Sequence, residues 1–191
     1  MRIVAGKKRG MNLLSPKGYV SRPITDRVKE SLFNVLFNYG LPEGKVVADL
    51  FSGVGSLGLE SLSRGAKTVT FVEKDPQIAA VLKKNIEKAG FVKESKIVKA
   101  DAFKAGAAER QKYDIIFVDP PYPMTNDAGE CSPLAGLLTL LAGQLANDGI
   151  VVVRTNERTE LLQRYGSLEI IDRRKWGTMA ETLLRQVGND K

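Results

Sequence analysis

The chain has 191 residues, of which 43% are hydrophobic and 27% are charged, as is usual for one globular domain with a real core. It contains no histidine and one cysteine, Cys131, which excludes an intramolecular disulfide and argues against zinc enzymes and Ser-His-Asp hydrolases. No signal-peptide pattern and no apolar run long enough to cross a bilayer is present, so we expect a cytoplasmic protein that needs neither membrane nor metal.

The positive charge is concentrated at the start of the chain. The formal net charge is +7, and residues 1–31 contribute +6 of it, from eight Lys and Arg against two acids. Such a cluster can be a solvated surface, but it also favours binding to nucleic acid, because clustered cations release counterions from phosphates. We favour the second interpretation. The candidate RNA contacts are Lys7, Lys8, Arg9, Arg22 and Arg27.

The first segment, "RIVAGKKRGMNLLSP", predicts a small β-hairpin, with Gly10 at positive φ in its turn. We therefore divide the chain into a basic hairpin arm, residues 1–20, and a main domain, residues 21–191. The next helix, "RVKESLFNVLFNYG", has Thr25 or Asp26 as its N-cap and Gly40 at its end. The preceding "RPITDR" is either this cap alone or a segment whose Arg22, Thr25 and Arg27 face a cofactor carboxylate or the RNA backbone.

From residue 45 strands and helices alternate. The predicted strands are "KVVADLF", "TVTFVEKD", "KIVKAD", "YDIIFVD" and "GIVVVRT", followed by two more in "LEIIDRRKWGTMAETLLRQV". The predicted helices are "LGLESLSRG", "PQIAAVLKKNIEKAG", with Asp75 as N-cap, and "PLAGLLTLLAGQLA". This alternation predicts an α/β fold with a mostly parallel sheet and helices on both faces.

A glycine-rich turn follows the first of these strands. In "DLFSGVGSLGLE", Gly53, Gly55 and Gly58 have G-x-G-x-x-G spacing, and Glu73 ends the second strand 20 residues after Gly53. A strand, a turn and a helix in this order, with an acid that can accept from ribose hydroxyls, favour an adenosine-containing cofactor. A turn that keeps its glycines for packing alone is the alternative interpretation.

Two further acids favour S-adenosylmethionine over a dinucleotide. Asp49, just before the glycine turn, would repel a pyrophosphate, whereas it suits the ammonium group of a methionine moiety. Asp101, after the third strand, can accept from an adenine amine. Asp49, Glu73 and Asp101 therefore predict a row of acids at this edge of the sheet. They would face the methionine ammonium, the ribose hydroxyls and the adenine amine of this cofactor, in that order.

The fourth strand ends in "DPPY", Asp119 to Tyr122. An exocyclic base amine is a poor nucleophile, since its lone pair is delocalised into the ring. The Asp119 carboxylate and the Pro120 carbonyl can accept from its N–H groups and localise that lone pair, while Tyr122 offers a ring on which an extruded base stacks. A capped strand end is the alternative, but the preceding motifs favour methyl transfer to an amine.

These motifs carry a family resemblance. "DLFSGVGSLGLE" with "VDPPY" resembles the class I S-adenosylmethionine-dependent methyltransferases that act on exocyclic amines. Together with "RIVAGKKRGMNL", "RPITDRVKESLFNVL" and "FVEKD", the chain resembles the RsmD family of bacterial small-subunit rRNA guanine-N2 methyltransferases, over residues 2 to about 185.

The resemblance implies a Rossmann-like sheet of seven strands with an antiparallel last strand, a small N-terminal β-hairpin, and an assembled or assembling small ribosomal subunit as the substrate. We expect a monomer. An adenine-N6 methyltransferase acting on DNA or RNA, and a non-catalytic RNA-binding assembly factor, stay open as alternatives. The implied cofactor contacts are Asp49, Phe51, Gly53, Gly55, Glu73, Lys74, Asp101, Ala102 and Asp119, and the implied catalytic residues are Asp119, Pro120 and Tyr122.

Overall fold

The computed structural model describes residues 1–16, 24–108 and 111–187, apart from the side chain of Tyr122. The described strands form one sheet in the order β3-β2-β1-β4-β5-β8-β7-β6. The strands are β1 Val46–Leu50, β2 Thr68–Val72, β3 Ser95–Val98, β4 Tyr113–Val118, β5 Leu145–Asn156, β6 Arg164–Tyr165, β7 Leu168–Trp176 and β8 Met179–Gln186. The helices are α1 Asp26–Asn38, α2 Ser56–Ser63, α3 Pro76–Ala89, α4 Ala102–Ala105 and α5 Pro133–Ala142.

The strand directions confirm the predicted Rossmann-like fold. β1 to β5 are mutually parallel, and β8 lies antiparallel between β5 and β7. One difference is an eighth strand, β6, in which Arg164 and Tyr165 pair with Glu169 and Leu168. The two-residue turn between these pairs places Gly166 at φ 59°, a conformation that glycine adopts freely. The sequence prediction missed β6 because two residues carry no periodic pattern.

Helices cover both faces of the sheet, as predicted. Ile115 and Phe117 of β4 contribute to a core that includes apolar residues of α1, α2 and α3. Ile116 and Val118 point the other way, into a core built with α4 and α5. Because successive side chains of a strand point to opposite faces, an unbroken apolar run is what a strand covered on both faces needs.

The helix ends follow the predicted capping chemistry in most places. Thr25 caps α1 by accepting from the Val28 N–H, and Asp75 caps α3, with Pro76 in its first turn and Gly90 at its end. The sequence prediction missed α4, a single turn that Asp101 caps by accepting from the Phe103 N–H at 3.0 Å. The last predicted helix ends at Ala142, so that Leu145 and Ala146, predicted to be helical, begin β5 instead.

The predicted hairpin arm is reduced to one bridge between Arg2 and Asn12, with a short 3₁₀ helix, Gly6–Lys8, in its turn. The Val4 and Ala5 N–H groups do not extend a strand ladder. They donate instead to the Glu60 carboxylate of α2, at 2.7 and 3.0 Å. The predicted division at residue 20 falls within residues 17–23, outside the described residues, and stays a prediction.

A second contact ties the arm to the glycine turn. The buried Asn85 of α3 accepts from the Leu14 N–H at 2.8 Å and donates to the carbonyls of Leu14 and Val54 at 3.0 Å. One amide thereby satisfies backbone groups of both segments, so the arm packs as part of the α/β body. In the described ranges, no helix is both long and apolar enough to cross a membrane.

Candidate active site

A cavity of about 510 Å³ opens where the parallel strands end. Ligand sites in open α/β sheets lie at this edge, and cavities of this size hold small molecules. Most residues that line it come from the turns after β1, β2, β3 and β4 and from the carboxyl end of β5, and Met1 and Ile24 of the N-terminal region complete the wall. Those that were predicted from the sequence are Phe51, Gly53, Glu73, Lys74, Ala102, Asp119 and Pro120.

The glycine turn has two kinds of glycine. Gly53, at φ 54°, lines the cavity, and the preceding Phe51 holds φ 57°, which is rare for a bulky residue. Gly55, at φ 90°, lies against the core, where an added Cβ would come within 2.5 Å of Leu82 Cδ1. An added Cβ on Gly58 would collide with the Phe71 ring. Gly55 and Gly58 therefore serve packing, which was the alternative interpretation, and only Gly53 of the three lines the cavity.

Glu73 holds the glycine turn by accepting hydrogen bonds from backbone N–H groups. Its Oε2 accepts from the Gly53 N–H at 3.0 Å and its Oε1 from the Asp75 N–H at 2.9 Å. Each carboxylate oxygen can accept a second hydrogen bond. Since Glu73 also lines the cavity, it presents oriented acceptors there without having to move.

Asp49 lies beneath the cavity instead of on its wall. It is 2% exposed, and its Oδ2 accepts from the Gly58 N–H at 2.8 Å. Burial raises the pKa of this carboxyl well above its usual value, and the negative charges of Asp119 and Glu73 act in the same direction. A contact between Asp49 and the ammonium group of a ligand, directly or through water, stays a prediction.

Asp101 is likewise absent from the described cavity wall, because its carboxylate caps α4. The next residue, Ala102, does line the wall. Phe103 packs edge-on against Phe51, with ring centroids 4.9 Å apart. The turn after β3 therefore supports the Phe51 ring at the cavity, and the predicted contact of Asp101 with an adenine amine stays a prediction.

The turn after β4 forms the opposite wall. Asp119, Pro120, Pro121, Pro123 and Met124 line the cavity. Proline rings fix the backbone here, so the direction of the Asp119 side chain and of the Pro120 carbonyl is restricted. Tyr122 begins a short 3₁₀ helix that ends at Thr125, and its side chain lies outside the described residues.

Sequence reasoning missed Arg154. This residue of β5 lines the cavity, and its Nη1 donates to Asp119 Oδ2 in an ion pair. Burial raises the pKa of Asp119 and the Arg154 charge opposes that rise. The available signal was a cation at the end of the apolar run "GIVVVRT", since a buried charge needs a partner.

The cavity fits an adenosine-containing cofactor. Phe51, Val72 and Ile78 supply apolar wall, and Glu73 supplies acceptors beside it. Ser52 also lines the cavity, and its buried Oγ has no hydrogen-bond partner among the described residues. A buried hydroxyl without a partner costs free energy unless something satisfies it, and a polar ligand group would do so.

The predicted RNA contacts lie on the surface of the first helix and the arm. Lys7 and Arg9 are exposed at the turn of the arm, and Lys8 is partly covered, with its Nζ 5.9 Å from the Phe91 ring centroid. Arg27 is exposed in the first turn of α1. Of the "RPITDR" segment, Ile24 lines the cavity and Thr25 caps α1, whereas Arg22 lies outside the described residues and its contacts stay a prediction.

The protein-family comparison gives one match that covers nearly the whole chain. The family described as conserved hypothetical protein 95 matches residues 1–185. The chain belongs to this family. It is the RsmD family, so the resemblance in the sequence motifs is confirmed.

Relatives of this RsmD family member have names that agree. The Bacillus subtilis protein named "Putative rRNA methyltransferase YlbH" is 33% identical over 193 residues, which cover 98% of this chain and 100% of the relative. Ribosomal RNA small subunit methyltransferase D of Haemophilus influenzae is 40% identical over 129 residues, which cover 64% of each chain. The match to the Bacillus subtilis protein therefore includes the arm, the cavity residues and the C-terminal strands.

Solved structures confirm the fold of this family member. "Putative methyltransferase yhhF" from Escherichia coli has a TM-score of 0.80 at 30% identity, and the match covers 97% of both chains. The methyltransferase SMU.776, solved as a complex with SAH, has a TM-score of 0.64 at 18% identity over 85% of this chain and 49% of that one. At that identity the second likeness concerns the fold alone.

Proposed function

We propose that this protein transfers a methyl group from S-adenosylmethionine to the exocyclic N2 amine of a guanine in small-subunit rRNA. The family and the names of its rRNA-methylating relatives support rRNA as the substrate. The observation that carries the proposal is the Asp119 carboxylate on the cavity wall, held by Arg154 and followed by the rigid Pro120–Pro121 pair.

The residues around the cavity would hold the cofactor as follows. Glu73 accepts from the ribose hydroxyls, Phe51 and Ala102 enclose the adenine, and Gly53 lets the backbone approach. Asp49 holds the glycine turn through Gly58, and a cationic ligand above it would favour the ionised form of this buried carboxyl. The remaining predicted contacts, which act from the rim or through their turns, are Gly55, Lys74 and Asp101. When bound, the cofactor supplies a methyl group already activated on a sulfonium.

Asp119 prepares the acceptor amine. An ionised carboxylate only accepts hydrogen bonds, so it aligns with an N–H group of the target base and draws the nitrogen toward tetrahedral geometry. The Pro120 carbonyl accepts from the second N–H. Tyr122, the third predicted catalytic residue, would stack on the extruded base, which also keeps the ring plane fixed relative to the two acceptors.

The arm would bind the RNA backbone. Lys7, Lys8, Arg9 and Arg27 supply positive charge at the surface, and Arg22 belongs to the same predicted set. Contacts of this kind position RNA without reading its sequence, so the choice of nucleotide depends on the shape of the surrounding ribosomal RNA. We therefore propose an assembling or assembled small subunit as substrate, acted on by a monomer in the cytoplasm.

The experiment is to incubate the purified protein with methyl-labelled S-adenosylmethionine and small ribosomal subunits from a strain that lacks its gene. Nucleosides are then analysed by mass spectrometry and the labelled position is mapped. We expect N2-methylguanosine at one site in the rRNA of the subunit, and less label on protein-free rRNA.

Each other outcome favours a different function. Label in N6-methyladenosine, with N2-methylguanosine unchanged, would assign the site to adenine. An absence of S-adenosylmethionine binding in calorimetry would instead favour the non-catalytic assembly factor. Cofactor binding together with label in DNA only would reject rRNA as the substrate.

A further inference from the structure

Arg154 is buried in an unusual way. Its side chain is 3% exposed, and its Nε and Nη2 point to Met179 Sδ, at 3.1 and 2.8 Å. A thioether sulfur is only a weak acceptor. Among the described residues, the one acid in ion-pair contact with Arg154 is Asp119, whose side chain is 29% exposed.

The sheet register explains this contact. Val118 of β4 lies opposite Val153 of β5, so the residues that follow, Asp119 and Arg154, are neighbours at the cavity. Met179 of β8 then supports the guanidinium from the far side. A guanidinium is planar and presents its N–H donors in a fixed fork, so a guanidinium held at one side restricts the carboxylate at the other.

We propose that Arg154 is a positioning residue, which fixes the Asp119 carboxylate in the orientation from which it accepts the target amine. This inference rests on the proposed function of Asp119. Arg154 acts through Asp119, since its Nη1 is committed to that carboxylate and its other contacts are to sulfur. No covalent step is required of Arg154 itself.

Most charged groups around Arg154 are acids. Glu181 of β8 lies directly opposite Arg154 in the register, is 1% exposed, and has an Oε1 without a hydrogen-bond partner among the described residues. Arg154 therefore has two acids beside it, Asp119 and Glu181. The charged groups packed around the pair are Asp49 of β1, Glu73 of β2, Glu181 of β8 and Arg174 of β7, which lies opposite Glu181.

The direction in which the Asp119 pKa changes on removal of Arg154 follows from the charges present. Burial raises the pKa of Asp119, and the Arg154 charge, with its hydrogen bond, lowers it. Removing Arg154 must therefore raise that pKa further, and Asp119 will be protonated, and unable to accept, over a wider range of pH. Activity of such a variant should recover as the pH rises, which a loss of packing alone would not produce.

The test compares Arg154→Met with Arg154→Lys and with Arg173→Met as a matched control. Arg173 is a partly buried arginine of β7 that donates to the carbonyls of Glu157 and Thr159, away from the cavity. The first measurement is an NMR titration of carboxyl-labelled aspartate, which reads Asp119 without any need for turnover. We expect its pKa to rise in Arg154→Met, to stay near the wild-type value in Arg154→Lys, and to be unchanged in Arg173→Met.

The second measurement is the pH dependence of methyl transfer. For Arg154→Met we expect kcat at neutral pH to fall on the order of 10- to 100-fold, with cofactor affinity within about threefold, and part of the loss to be recovered at higher pH. Arg154→Lys should retain more activity, since it keeps the charge but not the fork. If Arg154→Met does not fold, Arg154→Gln takes its place and is compared with Arg154→Lys and Arg173→Met.

An unchanged Asp119 pKa together with a pH-independent loss would overturn the inference and leave Arg154 with a packing role. Equal effects of Arg154→Met and Arg173→Met would do the same. Failure of the wild-type protein to methylate rRNA would reject the proposed function, whereas the titration would still decide whether Arg154 controls Asp119.

Discussion

Two buried ion pairs join distant parts of this chain, and they differ in how fully their polar atoms are satisfied. Lys29 and Glu60 are both fully buried, 3.4 Å apart. Glu60 also accepts from Arg64 and from two N–H groups of the arm, and Lys29 also donates to the Arg2 carbonyl and to Ser56. The Arg154–Asp119 pair has the weak sulfur acceptor on one side and an open cavity on the other.

The difference separates a structural pair from a functional one. A buried pair whose hydrogen-bonding capacity is filled by the backbone holds segments together and has little left to offer a ligand. A pair with an acid that still faces a cavity can accept another donor. Burial lowers the pKa of Lys29, while the charge of Glu60 opposes that change and so helps Lys29 to stay protonated.

The largest expected effect concerns the functional pair. Asp119→Ala should lower turnover by roughly 10³-fold, because it removes an oriented acceptor of the reacting amine, and should leave cofactor affinity nearly unchanged. Turnover is measured with saturating subunits and affinity by calorimetry. Asp148→Ala, at an exposed carboxylate that pairs with Arg185, is the control and should have no effect. A large loss of cofactor binding in Asp119→Ala would mean that the acid holds the cofactor instead.

For the structural pair, Lys29–Glu60, we expect a large loss of stability and little loss of turnover. Glu60→Ala leaves Lys29 and two arm N–H groups without their acceptor, and should lower the free energy of unfolding by about 3–5 kcal/mol. Urea denaturation measures this loss, and kcat per folded molecule should change little. The matched control is Asp26→Ala, which removes the exposed Arg2–Asp26 pair and should cost less than about 1 kcal/mol. A fall in kcat without a fall in stability would reverse the roles given to the two pairs.

The pH dependence of stability tests whether the buried acid Glu181, opposite Arg154, has a raised pKa. Burial raises its pKa from 4.5 to about 7. Between these values the unfolded chain has released the proton that the folded chain keeps, so this group lowers stability as the pH rises from 4.5 to 7, with no further change above. Glu181→Gln should remove that decline and be roughly 1–3 kcal/mol more stable, relative to wild type, at pH 8 than at pH 4. Parallel stability curves for the two proteins would show that Glu181 titrates normally.

The smallest effect is expected at the arm surface, which the structural pair holds in place. Replacing Lys7, Lys8 and Arg9 by Ala should weaken binding to the RNA substrate and reduce the slope of log K against log salt by about 2 to 3, with stability unchanged. The control replaces three lysines outside the arm, Lys45, Lys67 and Lys112, each of which directly precedes a strand, so that the same charge is removed elsewhere. An equal slope for both triple variants would make the arm an ordinary solvated surface.

The local patterns in the sequence predicted the fold and most of the cavity wall. "DLFSGVG", Glu73 and "DPPY" each follow a strand, and parallel strands bring their ends to one edge, so their proximity could be inferred. The pairing of Arg154 with Asp119 could not, because it depends on the register of β4 and β5. The packing of Gly55 against Leu82 and the capping of α4 by Asp101 could not be predicted either, because the first depends on tertiary packing and the second on a helix of one turn.

Asn85 has a consequence for the evolution of this family. Its one amide satisfies Leu14 in the arm and Val54 in the glycine turn. An RNA-binding segment that replaced the first fourteen residues would have to restore both hydrogen bonds between Leu14 and Asn85, since their loss would leave the buried Asn85 Oδ1 without its donor beside the glycine turn. Changes in substrate preference are therefore expected to arise by substitution on the arm surface, with its backbone path retained.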